Sequence, residues 1–135
     1  MSEVLLSYES NIEDISIIYF HGGKKMREVK RPWGDFKQFI LNEKCTVKIL
    51  TVKPNQILSL QKHKKRKEQW YFLTEGWVQL GTKKKKIKKG EIVTVGKMRA
   101  HRIFAKKKKV EVLEISYGTF DERDEIRLED KYGRS

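Results

Sequence analysis

The chain has 135 residues, 36% charged and 38% hydrophobic, which suits one modest core, and no apolar run nears the roughly 20 residues that span a bilayer. Its net charge of +13 admits a polyanion partner, but the runs Lys83–Lys86, Lys88–Lys89 and Lys106–Lys109 carry no interleaved aromatics. They read as solvated turns, or as the lysine-rich surface of a heat-adapted protein, rather than as a nucleic-acid face. The lone cysteine, Cys45, excludes an internal disulfide and a thiolate metal cluster, and reads as a small buried apolar residue.

In chain order, residues 1–28 form an N-terminal arm and residues 29–135 a β domain. The start, MSEVLLSYESNIEDIS, lacks the basic and apolar regions of a secretory signal, so a cytoplasmic location is expected. Within the arm, NIEDISIIYF suggests a short helix entering a strand, and HGGKK a loop that contains His21. From Phe36 onward the pattern is β throughout. FKQFIL, TVKILTV, ILSLQ, QWYFLT, WVQL, KKIK, EIVTV, HRIFA and VEVLEIS are short runs rich in β-branched and aromatic residues. Gly, Asn or Lys marks the breaks between them. Many short strands at even spacing predict an all-β sandwich, jelly roll or barrel. Trp33, Trp70, Tyr71 and Trp77 read as core aromatics before they read as a sugar platform. The last segment, DERDEIRLEDKYGRS, is charged and reads as an extended tail or a short helix.

One segment carries chemistry: LSLQKHKKRKEQW, residues 58–70. Gln61 and His63 stand two apart, so in a strand they share a face. Glu68 follows closely enough to return to the same pocket on the next strand, and His101 opens a later strand. Two imidazoles, one carboxylate and one amide oxygen form a mixed N/O set suited to one divalent metal ion such as zinc, with positions left for water or substrate. The set in register outweighs the reading of two ordinary polar histidines.

The spacings around these residues resemble the two motifs of the cupin family. In the first, Asn55 stands at the opening glycine, Gln61 and His63 form the ligand pair, Glu68 is the carboxylate and Gly76 the closing glycine. In the second, Gly90 and His101 are in register, while Gly96 replaces a proline and Met98 a glycine. The resemblance implies a cupin jelly-roll barrel with a short N-terminal arm and a charged C-terminal segment. It implies a metal held by Gln61, His63, Glu68 and His101: zinc first, with manganese, iron, cobalt or nickel as alternatives.

The segments RPWGDF, VKILTVKPN, LSLQKHKKRKEQW, HRI and EISYGTFDERDEIRLEDKYGR further resemble the cupin-type mannose-6-phosphate isomerase domain, the form also found behind a mannose-1-phosphate guanylyltransferase. That resemblance implies interconversion of mannose 6-phosphate and fructose 6-phosphate. It makes Arg66, Arg102 and Lys65, which adjoin the proposed ligands, the candidates for holding phosphate or acting as electrophile. The base that moves the proton is not assigned. The sequence departs from the family pattern at Lys65 and Gln69, each of which stands where a histidine is expected. The departure keeps a second reading open, a non-catalytic cupin that binds a sugar or sugar phosphate. A small phosphorylated sugar is the expected ligand under both readings. A homodimer is expected, since small cupins leave sheet edges that a second copy can cover.

Overall fold

A computed structural model of the chain describes residues 3–8, 15–21 and 24–134, with side chains from residue 26 onward. The chain divides into two compact units, Met1–Glu43 and Lys44–Ser135.

The first unit is an antiparallel sheet of four strands in the order β1-β2-β3-β4: β1 (Glu3–Tyr8), β2 (Ile15–His21), β3 (Lys24–Arg31) and β4 (Gly34–Gln38). The strand expected at the end of NIEDISIIYF is present, and the short helix expected before it, over residues 11–14, falls outside the described residues. Ile15–His21 is strand, which takes His21 out of the expected loop. The physical reason is composition: β-branched and aromatic side chains lose χ1 freedom in a helix and pack well on a pleated surface. Lys24 and Lys25, expected in the same loop, open β3, while residues 22–23 lie outside the described residues. Strand β3 also runs through position 28, where the arm was drawn to end.

The second unit has nine strands, β5 (Cys45–Val52), β6 (Leu60–His63), β7 (Glu68–Phe72), β8 (Gly76–Leu80), β9 (Lys83–Ile87), β10 (Ile92–Val95), β11 (His101–Phe104), β12 (Val110–Tyr117) and β13 (Glu125–Glu129). They form two antiparallel sheets, ordered β10-β7-β12-β5 and β13-β6-β11-β8-β9. The ladders do not close on themselves, so the barrel is a pair of sheets around a shared interior. Val52, Phe72, Val93, Val95, Val110 and Val112 from one sheet and Val78, Ile87 and Ile103 from the other form a single buried apolar cluster. This is the cupin jelly roll in all-β form.

Three details differ from expectation. Lys83–Lys86 form most of edge strand β9 rather than a turn, with all four side chains exposed. A lysine-lined edge repels a further strand, so charge here protects the sheet. The charged C-terminal segment is neither tail nor helix for most of its length. After a single 3₁₀ turn, Glu122–Asp124, it becomes β13 and pairs antiparallel with β6. Cys45 is half-buried at the start of β5.

Two substitutions in the cupin spacing keep the backbone the motif needs. Asn55 and Met98, which stand at motif glycines, adopt φ of 62° and 61°. Asn enters this region readily, whereas Met does so at a cost of about 1–2 kcal/mol. Met98 donates its N–H to the carbonyl of His63 at 2.6 Å, so the turn that carries it also fixes the end of β6. Gly76 is required for space, since a Cβ there would lie 2.6 Å from Val110 Cγ1 and 2.9 Å from Phe72 Cε2.

Candidate metal centre

Strand periodicity places the site. In sheet β13-β6-β11-β8-β9, Gln61 pairs with Arg127 on one side and His101 on the other. In the other sheet, Glu114 sits between Lys48 and Trp70, and Ser116 pairs with Glu68. The turn from β6 to β7 is anchored by Asp124, whose carboxylate accepts the N–H groups of Lys64 and Lys65 at 3.0 Å each. That turn returns Glu68 to the face that Gln61 and His63 occupy.

His63, Glu68 and His101 converge, and their donor atoms all lie within 4.8 Å of one another. His63 Nδ1 is 3.4 Å from Glu68 Oε1, and His101 Nε2 is 3.8 Å from Glu68 Oε2. All three side chains are at most 2% exposed. His101 Nδ1 lies 2.8 Å from the carbonyl of Arg99, which can only accept, so Nδ1 carries the ring proton. Its Nε2 therefore presents a lone pair, is buried, and has no hydrogen-bond partner. An orphaned imidazole nitrogen aimed at a buried carboxylate suits a divalent cation in donor type and protonation state. Gln61 contributes to the same cleft, and its Oε1 accepts from Ser59 Oγ at 2.9 Å.

Arg66 is buried in the centre of this group. Its Nε donates to Glu68 Oε1 at 2.9 Å, its Nη1 to the carbonyl of Asp121 at 3.0 Å, and its Nη2 lies 2.9 Å from His63 Nε2. Its guanidinium also stacks on Phe120, 4.4 Å from the ring centre.

Burial dominates the electrostatics. It lowers the pKa of His63 to about 4 and depresses that of His101, so both rings are neutral at neutral pH. Burial also opposes ionisation of Glu68, but attraction to the two imidazoles and to Arg66 overcomes it and holds the carboxyl below its usual range. The neighbouring Glu114 behaves oppositely. Burial, followed by repulsion from Glu68, raises it to about 7. Trp70 Nε1 lies 3.3 Å from both Glu68 Oε2 and Glu114 Oε2 and ties the two carboxyls together.

The other sequence candidates scatter. Arg102 is buried, but its Nε donates to the carbonyl of Leu58 at 3.0 Å and its Nη1 pairs with Glu129 Oε1 at 3.2 Å. It follows His101 by one residue and so points to the opposite face, where it clamps β13. Lys65 is exposed in the β6–β7 turn. A cleft of about 550 Å³ joins Gln61, Arg66 and Glu68 to Glu114, Lys48 and Phe120, with Arg123, Arg127 and Arg134 also on its walls. Sequence reasoning missed Glu114, Lys48 and Phe120. The signal for Glu114 was phase: it lies two and four residues from Val112 and Val110, which are buried. Trp70 is core, as expected, while Trp33 is 72% exposed. Among the described residues, no helix is long and apolar enough to cross a membrane.

Comparison with known proteins bears on the family and the fold. The family model described as "Mannose-6-phosphate isomerase C-terminal" matches residues 21–130. A mannose-1-phosphate guanylyltransferase of Salmonella typhimurium is 31% identical over 126 residues, which are 91% of this chain and 26% of the relative. The alginate biosynthesis protein AlgA of Pseudomonas aeruginosa is 34% identical over 112 residues, 80% of this chain and 23% of the relative. The chain thus spans about a quarter of the length of these relatives. Among solved structures, the capsular polysaccharide assembling protein CapF of Staphylococcus aureus superposes with a TM-score of 0.59 at 13% identity, over 85% of this chain and 34% of its own. A cupin protein of Bacteroides fragilis superposes with a TM-score of 0.52 at 17% identity, over 60% of this chain and 72% of its own.

Proposed function

We propose, starting from the fact that this chain belongs to the mannose-6-phosphate isomerase C-terminal family, that it is a metal-dependent sugar-phosphate isomerase interconverting mannose 6-phosphate and fructose 6-phosphate. The observation that carries the reading is the buried convergence of His63, Glu68 and His101 at the wall of a cleft lined by basic and acidic side chains. Gln61, His63, Glu68 and His101 would hold the ion, zinc or another divalent metal. When bound, such an ion polarises a sugar carbonyl or hydroxyl as a Lewis acid.

The chain's own groups supply the rest. Glu114 is the second buried carboxyl of the cleft, and Trp70 fixes it beside Glu68. Its position suits it to carry a proton between C1 and C2. Arg66, with Arg127 and Arg134 farther along the cleft, would meet the phosphate, since a planar guanidinium matches a phosphate's oxygens. Lys65, at the exposed turn beside Arg66, is a further candidate for that contact. Arg102 would act by holding β13, which carries Arg127. A cytoplasmic homodimer completes the proposal.

A second reading, a cupin that binds a sugar phosphate without turning it over, is favoured by Lys65 and Gln69. Gln69 is fully buried and accepts a hydrogen bond from the Tyr117 hydroxyl, so the position where the family pattern has histidine is committed to structure. Turnover separates the two. Purified protein loaded in turn with zinc, manganese, cobalt, nickel and iron is incubated with mannose 6-phosphate in deuterated water. The isomerase reading predicts fructose 6-phosphate and deuterium at C2 of the recovered substrate, both abolished in His63→Ala. Saturable binding with neither product nor exchange contradicts it and leaves the binding module.

A further inference from the structure

A cation at the centre needs a lone pair from His63, and that lone pair is already in use. A neutral imidazole has one N–H and one lone pair, whereas guanidinium has donors only and does not lose its charge. With Arg66 Nη2 2.9 Å from His63 Nε2, the ring must accept there. Its proton then sits on Nδ1, facing Glu68 Oε1 at 3.4 Å. A metal ion on Nε2 would stand where the guanidinium stands. A metal ion on Nδ1 would require the proton on Nε2, where two donors would face each other. Both routes require Arg66 to release His63. The same guanidinium donates from Nε to Glu68 Oε1 at 2.9 Å, so it also holds one of the carboxylate oxygens that a metal would use.

Arg66 therefore supplies the positive charge that the buried carboxylate requires. It also has somewhere to go, since it lines the cleft and leans on Phe120, whose ring Lys48 contacts as well. We infer that Arg66 and a divalent cation exclude one another at the His63–Glu68 pair, so that Arg66 is a built-in competitor that sets metal affinity and turns toward the cleft when the ion binds. The inference rests on the metal-centre reading above. It assigns Arg66 a positioning role before any contact with substrate, and it makes metal loading and the exposure of one cleft arginine a single event.

The test uses the full chain after chelator treatment, with Co²⁺ as the probe and its visible absorption as the readout. Arg66→Met removes the competitor while keeping similar bulk. It is expected to bind Co²⁺ at least about tenfold more tightly than the wild type. Equal or weaker affinity in the variant overturns the inference, because Arg66 would then be helping to orient the ligands. A second measurement needs no variant. Phenylglyoxal labelling of the wild type, located by peptide mass, is expected to modify Arg66 severalfold faster once Co²⁺ is bound. An unchanged or slower rate overturns the displacement. If neither wild type nor Arg66→Met binds Co²⁺, the metal centre itself fails and the inference with it. If both bind equally well, the centre stands and only the competition falls.

Discussion

The two ends of the second unit's interior are built on the same strands and differ by two or four residues of travel. Along β7 the inward positions run Glu68, Trp70, Phe72, and along β11 they run His101, Ile103. Along β12, read backwards, they run Ser116, Glu114, Val112, Val110. One end is an apolar cluster and the other holds the buried side chains of His63, Arg66, Glu68, His101 and Glu114. The comparison shows how a small domain can keep so many buried polar groups. The apolar end supplies the stability, the shared strands transmit its rigidity, and the polar end spends some of that stability on placing reactive groups.

The largest test of that division is Phe72→Ala. Phe72 is fully buried in the apolar cluster, and its truncation is expected to cost about 3–5 kcal/mol in urea unfolding. If the apolar end only supports the other, the folded variant retains its metal affinity. A loss of affinity that tracks the loss of stability would erase the distinction between the ends.

Trp70 stands at the seam, packed in the apolar cluster while its Nε1 serves both carboxyls. Trp70→Phe keeps most of the packing and removes the donor. The expected cost is about 1–3 kcal/mol, from leaving buried acceptors unpaired. Glu114 should then titrate higher still, since the Trp70 bond lowers its pKa. Carbon NMR of the Glu114 carboxyl follows that shift, and an unmoved value would sever the seam from the site.

The smallest effect is pH dependence in chelator-treated protein. The pKa of His63 falls from 6.5 to about 4 on folding, so its contribution is complete above pH 6.5 and is lost as pH falls toward 4. His101 acts in the same direction. The pKa of Glu114 rises from 4.5 to about 7, so its contribution is present below pH 4.5 and is lost as pH rises to about 7. Glu114 opposes the two histidines between these limits and so flattens the wild-type profile. Glu114→Gln removes that opposition, and stability should then fall more steeply on acidification, by up to about 1.4 kcal/mol per pH unit for one proton. Urea midpoints taken across this range decide it, and an unaltered slope would contradict the placement of Glu114 beside Glu68.

Much of this division was legible in the sequence. Every run read as strand from Phe36 onward contributes residues to an observed strand, though FKQFIL meets β4 only at its start and ILSLQ meets β6 only at its end. The two-residue spacing of Gln61 and His63 reported a shared face because strand geometry allows little else. Period alone could not place the start of the strand in NIEDISIIYF, where acidic residues precede a β-branched run. Nor could spacing tell that Arg102, beside a ligand candidate, points to the opposite face, or that Lys83–Lys86 would pair as an edge strand. Glu114 was overlooked because it stands outside both ligand motifs. The buried valines in phase with it mark it as inward.

The central claim is that the polar end of the interior is a metal centre. Purified wild type and the His63→Ala, His101→Ala double variant are dialysed against Zn²⁺, washed, and measured by elemental analysis. The account predicts about one tightly held ion per wild-type chain and none in the double variant. No ion retained by the wild type, or an equal amount retained by the double variant, would contradict it.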